Sequence, residues 1–86
     1  MTTKIQLPIV HLNGSGRESL MRQYHNAYMK LQEAIVALRE VDTHDRDFYP
    51  LGPDAGPQAR LEQRARETKL AEIQGEMLQL YSSVEP

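Results

Sequence analysis

The 86-residue sequence contains no cysteine and no tryptophan, and no apolar run approaches the roughly 20 residues of a membrane-spanning helix. Without cysteine, neither a disulfide framework nor a thiolate zinc site can stabilise the chain, which suits an intracellular protein. The N-terminus has no secretory pattern, because its apolar segment IQLPIVHL is short and interrupted by a proline. We therefore expect a cytoplasmic protein that has no membrane partner.

An excess of basic charge is also missing. The formal net charge is −2, whereas general binding to DNA or RNA requires a local excess of Lys and Arg against the phosphates. The charge is uneven along the chain: residues 13–30 hold three basic and one acidic residue, and residues 40–54 hold one basic and five acidic residues. We therefore expect no general nucleic-acid binding, but the first of these segments can receive an anion.

Two stretches have the periodicity of amphipathic helices. The first runs from Ser15 to Val41 and the second covers residues 57–82, with its apolar spacing continuing to Val84. Each needs a partner for its apolar face, so we expect a mainly α, single-domain antiparallel two-helix hairpin. The apolar positions are Leu20, Tyr24, Ala27, Leu31, Ala34, Leu38 and Val41 in the first helix, and Ala59, Leu70, Ile73, Met77, Leu80 and Val84 in the second.

A further apolar stripe on the first helix favours an oligomer. Met21, Tyr28 and Ile35 repeat every seven residues beside the main seam, and one partner helix covers only one seam. We expect this stripe to contact another subunit or the N-terminal arm. A chain of this length buries only about 60–65% of its surface on folding, which also favours a homo-oligomer. Gly75 lowers helix stability and suggests a close helix crossing.

Residues 1–14 are predicted to form an arm and a turn. Ile5, Leu7 and Ile9 alternate with other residues, which indicates a short strand or an extended arm that pairs with a second copy or packs along the hairpin. A turn follows in residues 13–14, and the next residues have the pattern of a capping box, with Ser15 as the N-cap.

The connection over residues 42–56 is longer than the roughly two to eight residues that usually join packed helices. It contains apolar groups to bury and prolines that stiffen it, so we expect an ordered loop folded over the end of the hairpin. A metal cluster of His44, Asp45 and Asp47 matches no ligand signature, and a solvated loop is the preferred interpretation. The apolar groups and prolines are Phe48, Tyr49, Pro50, Leu51 and Pro53.

Ten residues form a candidate ligand site. A glycine-containing turn before a helix presents free N–H groups and the positive end of the helix dipole to an anion, and arginine adds bidentate contacts. Tyrosine rings can stack on a base. The simpler alternatives are a plain helix cap, core tyrosines and a salt-bridged arginine surface. The candidates are Asn13, Gly14, Ser15, Arg17, Arg22, Tyr24, Tyr28, Tyr49, Arg60 and Arg64.

The candidates in the turn before the first helix and Tyr49 in the connecting loop lie at opposite ends of that helix, which is about 40 Å long given a rise of about 1.5 Å per residue. They can meet only across a subunit interface, so we expect an intersubunit pocket. The sequence has no convincing arrangement of nucleophile and base or of paired carboxylates, which disfavours an enzyme. We expect no cofactor, no metal and no catalytic residue.

The chain resembles a family of small helical proteins encoded by phages and prophages. That family has an HLNGTS-like turn before a long helix, a loop with an RDYYPQG-like pattern, and a second helix rich in Ala, Arg and Leu. This sequence departs from the pattern at Ser15, Gly16, Phe48 and Leu51, so a hydroxyl role at position 16 is lost. The matching residues are His11, Leu12, Asn13, Gly14, Arg46, Asp47, Tyr49, Pro50 and Gly52.

The resemblance implies a phage protein that acts in the cytoplasm of an infected bacterium. Small phage proteins of this kind counter host defence, and one class sequesters nucleotide immune signals such as cyclic oligonucleotides or cyclic ADP-ribose derivatives without cleaving them. The resemblance therefore implies an anti-defence sponge. The main alternative is a helical adaptor or inhibitor that docks a host or phage protein through an apolar helix face. A purely structural coiled-coil element is a third interpretation.

Overall fold

The computed structural model describes residues 5–9, 16–41 and 45–86, with the side chains of residues 45, 46 and 49 excepted. Helix α1 covers Arg17–Arg39, the short helix α2 covers Asp45–Phe48, a 3-10 turn follows at Tyr49–Leu51, and helix α3 covers Ala55–Val84. The described part of the chain is therefore mainly helical, as the periodicity predicts.

Helices α1 and α3 pack against each other in antiparallel directions. Gln63 Nε2 donates to the backbone carbonyl of Leu38 at 2.8 Å, and Gln74 Nε2 donates to the backbone carbonyl of Tyr28 at 3.4 Å. The later residue of α3, Gln74, therefore contacts the earlier residue of α1, Tyr28, as expected for antiparallel helices. The predicted helical hairpin is confirmed.

The start of α1 differs from the predicted capping box. The N-cap is Gly16, which has no side chain to cap the helix, and its carbonyl accepts the first helical hydrogen bond from the Leu20 N–H at 3.1 Å. The prediction that Ser15 is the N-cap is therefore wrong, and Ser15 itself lies outside the described residues. Glu18 in the first turn still interacts favourably with the positive end of the helix dipole.

The connection between α1 and α3 is more helical than the predicted loop. Helix α2 and the 3-10 turn both pack against α3, and Gly52 then adopts a φ of 115°, a conformation that glycine tolerates without strain. Helix α3 starts at Ala55 rather than Pro57. Pro57 still falls within the first turn, where the missing N–H has no intrahelical acceptor.

Residues 5–9 form neither a helix nor a strand in the single chain. Leu7 and Ile9 are both exposed there. A strand at this position needs a partner strand, so its pairing with a second copy stays a prediction. The turn at Asn13 and Gly14 lies outside the described residues.

The hairpin has very little core. Among the described residues, Ile35 and Val84 are the buried hydrophobic side chains, with 3% and 2% of their surface exposed. The chain measures 61 × 25 × 17 Å with a radius of gyration of 18.3 Å, whereas a compact domain of this length has a radius of about 12 Å. One chain therefore exposes much of its apolar surface.

The apolar stripe expected to contact another subunit lies against α3 instead. Ile35 is buried in the single chain, and the backbone of Tyr28 accepts a hydrogen bond from α3. Val41, which the sequence placed in the first helix, follows the end of α1 at Arg39 and is exposed. No helix within the described residues is long and apolar enough to cross a membrane.

Candidate functional site

A small aromatic cleft opens between the helices toward the N-terminal half of α1. Its volume is about 210 Å³, and we call it the aromatic cleft. His25 and Tyr28 come from successive turns of α1, and Leu78 and Tyr81 come from the C-terminal part of α3. Residues three apart on a helix lie on the same face, so each helix contributes one pair.

The rings of the cleft are close but not stacked on each other. The His25 and Tyr81 ring centroids are 6.3 Å apart, with a tilt of 50° between the planes. Tyr28 and Tyr81 are half-buried, while His25 and Leu78 are exposed. Aromatic faces held open in this way can receive a planar apolar ring, and a nucleobase has such a ring.

A second, more polar groove continues along the same side of the hairpin. It has a volume of about 320 Å³, and we call it the polar groove. Arg39 Nε lies 3.0 Å from Glu67 Oε1, so one of its two arginines is already paired with a carboxylate. The residues that line it are Gln32, Ile35, Arg39, Arg64, Glu67, Thr68, Ala71 and Gln74.

The predicted residues of α1 lie in its first half. Tyr28 lines the aromatic cleft. Arg22 is exposed and lies three residues before His25, so both side chains are on the same side of the helix. Arg17 is exposed in the first turn, and Tyr24 is half-buried without lining the cleft.

The predicted residues of α3 lie at the other end of the hairpin. Arg64 is exposed and lines the polar groove, and Arg60 is half-buried one turn earlier. Helix α1, with 23 residues, is about 35 Å long, so these arginines are far from Arg22 within one chain. The structure therefore does not bring the predicted site together in a single copy. The remaining candidates, Asn13, Gly14, Ser15 and the side chain of Tyr49, lie outside the described part of the chain.

His25, Leu78 and Tyr81 were not among the residues assigned to the site from the sequence. The predicted antiparallel hairpin gives only a general signal for them, because it brings the end of α3 beside the first turns of α1. The register that places Tyr81 beside His25 is not determined by the apolar spacing and is seen only in the structure.

Metal binding has no support from the described residues, since they contain no group of three His, Asp or Glu side chains placed to hold an ion. The cluster of His44, Asp45 and Asp47, for which a solvated loop is the preferred interpretation, is not tested by this observation, because His44 lies outside the described residues.

No protein-family model, curated protein or solved structure matches this chain. The architecture is that of an antiparallel helical hairpin with an aromatic cleft and an adjoining polar groove on one side.

Proposed function

We propose that this chain is a homo-oligomeric binding protein that holds a nucleotide-type ligand without cleaving it. The observation that carries the proposal is the aromatic cleft, in which Tyr28 and Tyr81 approach from different helices and Arg22 lies one turn before His25 on α1. A nucleotide combines a flat ring with an anionic phosphate. The cleft offers aromatic faces to the ring, and the arginine offers a cation to the phosphate.

A second arginine group supports an intersubunit site. Arg60 and Arg64 lie at the far end of the hairpin from Arg22. If a second copy lies antiparallel to the first, the Arg60 and Arg64 side chains of the second copy come near the end of the first copy that carries the aromatic cleft. An oligomer would then surround a charged ligand from two sides. The elongated shape of the single chain, with its radius of gyration of 18.3 Å, supports such an assembly.

The biological role that we propose is phage anti-defence, by sequestration of a nucleotide immune signal of the cyclic oligonucleotide or cyclic ADP-ribose type. This part of the proposal depends on the HLNG turn and on the loop around Tyr49 and Pro50, through which the chain resembles phage proteins. The protein would act in the cytoplasm of the infected host. Sequestration requires tight binding and no turnover, so the ligand should be recovered intact from the complex.

The test is a melting scan of the purified full chain with cyclic dinucleotides, cyclic trinucleotides and ADP-ribose derivatives. A ligand at about 100 times its Kd stabilises the folded state by about 2.7 kcal/mol, which raises the Tm of a small domain by several degrees. A selective shift supports the proposal, and analysis of the released ligand then checks that it is unchanged.

Variants assign the binding to the cleft. Tyr81→Leu and Arg22→Ala should each weaken a ligand found in the scan by at least about fivefold, because stacking on one aromatic side chain is worth about 1–3 kcal/mol. Lys30→Ala is the matched control for charge: Lys30 lies on the same helix and pairs at 3.3 Å with Glu33, with both side chains 67% exposed. Equal binding by all three variants would rule out the assigned site.

A helical adaptor or inhibitor is the second candidate function. Several large apolar side chains are exposed on both helices, among them Met29, Val36 and Leu61, and such surfaces bind partner helices. A flat nucleotide panel, together with stoichiometric binding of a host protein by the intact oligomer, would favour this function over nucleotide binding.

A further inference from the structure

The aromatic cleft and the polar groove are two parts of one gap between α1 and α3. Tyr28 lines the cleft, and the groove residues of α1 follow it at spacings of four, three and four, at Gln32, Ile35 and Arg39. Residues at these spacings lie along one face of a helix. The cleft and the groove therefore share one wall, which α1 provides.

Helix α3 provides the other wall in the opposite direction. Leu78 lines the cleft, and groove residues precede it at spacings of four, three and four, at Gln74, Ala71 and Glu67. Gln74 and Gln32 face each other across the gap, where their side chains share a hydrogen bond of 2.9 Å. Each of these glutamines is one turn from a cleft residue of its own helix. The two cavities therefore adjoin at this glutamine pair, and we call them together the combined site.

The two ends of the combined site differ in their chemistry. The cleft end is aromatic. At the groove end, Arg39 Nε lies 3.0 Å from Glu67 Oε1 and neutralises that carboxylate. Arg64 lines the same end, is exposed and has no ion-pair partner among the described residues. One end can therefore receive a base and the other a phosphate.

The separation of the two ends determines how long a ligand must be to reach both. Arg39 comes eleven residues after Tyr28, and Arg64 comes fourteen residues before Leu78. At about 1.5 Å per residue, these spacings correspond to about 17 Å and about 21 Å along the helices. A mononucleotide carries its phosphate on the sugar that bears the base, so it is too short to reach both ends. A nucleotide of two or more units has its far phosphate one sugar and one linkage further away.

The volumes agree with a ligand of this size. The aromatic cleft has a volume of about 210 Å³ and the polar groove one of about 320 Å³. Ligand pockets usually measure about 300–1,000 Å³. The cleft by itself is below this range, whereas the combined site is within it.

We propose that the combined site of one chain binds an extended nucleotide of at least two units, with a base in the aromatic cleft and the far phosphate on Arg64. This inference rests on the proposed function for nucleotide binding and specifies the length of the ligand. It needs no second copy to complete the site, because the base and the far phosphate both contact the same hairpin.

Three linear probes separate length from charge. They are AMP, the unphosphorylated dinucleotide ApA, and pApA, which adds a 5′-terminal phosphate to ApA. Titration calorimetry with the purified full chain measures the Kd of each probe. We expect pApA to bind at least tenfold more tightly than AMP and at least fivefold more tightly than ApA.

Variants then assign each end of the probe. Arg64→Ala should remove most of the advantage of pApA over ApA and leave ApA binding unchanged, which also shows that the variant is folded. Its slope of log K against log salt for pApA should be shallower by about 0.7, as expected for one lost phosphate contact to a single strand. Tyr81→Leu should weaken all three probes alike, because each of them places a base in the cleft.

Lys69→Ala is the matched control for charge on α3. Lys69 is exposed like Arg64 and lies five residues later, which rotates it by about 140° around the helix, away from the groove. This variant should keep the affinities of the parent chain for all three probes.

Three results would overturn the inference and leave nucleotide binding standing. They are equal binding of pApA and ApA by the parent chain, equal weakening of these two probes by Arg64→Ala, and a loss of the pApA advantage in Lys69→Ala as large as in Arg64→Ala. If neither these probes nor the cyclic nucleotides and ADP-ribose derivatives bind, the proposed function fails together with this inference.

Discussion

Gln74 on α3 donates a hydrogen bond from Nε2 to the side-chain oxygen of Gln32 on α1, at 2.9 Å, in a half-buried part of the helix interface. The same nitrogen lies 3.4 Å from the backbone carbonyl of Tyr28. A half-buried amide that makes its hydrogen bonds in only one alignment penalises every slipped alignment. This pair therefore helps to set the register that brings His25 and Tyr81 together.

Removing one member of this pair should cost more than removing both. Gln74→Leu leaves the Gln32 oxygen without its donor and should lower the free energy of unfolding by about 1–2 kcal/mol. The double variant Gln32→Leu/Gln74→Leu replaces both polar groups with apolar ones and should recover most of that loss. Urea denaturation of the four proteins in the cycle measures the coupling. Equal losses that simply add would show that the two amides do not interact.

Gln23→Leu is the control for this cycle. Gln23 also makes a side-chain hydrogen bond, to Ser19 at 3.1 Å, but it is exposed and its partner lies on the same helix. Its replacement should change the free energy of unfolding by less than about 0.5 kcal/mol.

The few buried residues should carry a large share of the stability. Ile35→Ala removes a side chain that is 3% exposed and should lower the free energy of unfolding by about 2–5 kcal/mol, because it loses burial and leaves a cavity. Leu61→Ala deletes a similar volume from an exposed position on α3 and should have a small effect. Similar destabilisation by both variants, in guanidinium melts, would contradict the helix pairing described here.

The hairpin itself was predictable from the sequence, but the covered edge of α1 was not. Its apolar arc holds two stripes, and periodicity alone cannot tell how one partner helix lies across them, because the arc is wider than one helix can cover. The choice depends on what α3 presents: Gln63 and Gln74 reach the α1 backbone at Leu38 and Tyr28, one residue from each stripe. The same register determines the position of Tyr81, which explains why its role in the cleft became clear only with the fold.

The ion pair between Arg39 and Glu67 should stabilise the fold only weakly. The atoms are 3.0 Å apart, but the arginine side chain is 62% exposed and the glutamate 22% exposed, so water and salt screen the attraction. Glu67→Gln should lower the free energy of unfolding by less than about 1 kcal/mol at low salt, and the difference should disappear in about 1 M salt. A loss that persists at high salt would indicate a contribution other than charge.

Gly75 should be replaceable, contrary to the close helix crossing expected from the sequence. A Cβ built at this position meets no atom within 4 Å in the single chain, and the residue lies inside the long helix α3. Gly75→Ala should therefore raise the free energy of unfolding by about 0.5–1 kcal/mol, since alanine is the better helix former. Gly52→Ala is the opposing case, because a φ of 115° strains any side chain, and it should destabilise the protein. Destabilisation by Gly75→Ala would reveal a contact that one chain does not contain.

Ile73 and Val36 allow a direct comparison of the two sides of the hairpin. They are 43% and 41% exposed, so a lysine at either position should perturb an isolated chain about equally. If a second copy packs against the side of the hairpin that carries Ile73, Ile73→Lys places a charge in the interface, while Val36→Lys stays in water. The parent and Val36→Lys should then melt at temperatures that rise with protein concentration, as expected for a folded dimer. Ile73→Lys should lose this dependence and melt several degrees lower at the same concentration. Matching behaviour of the two lysine variants would place the interface elsewhere, because the two positions are similarly exposed but lie on opposite sides of the hairpin.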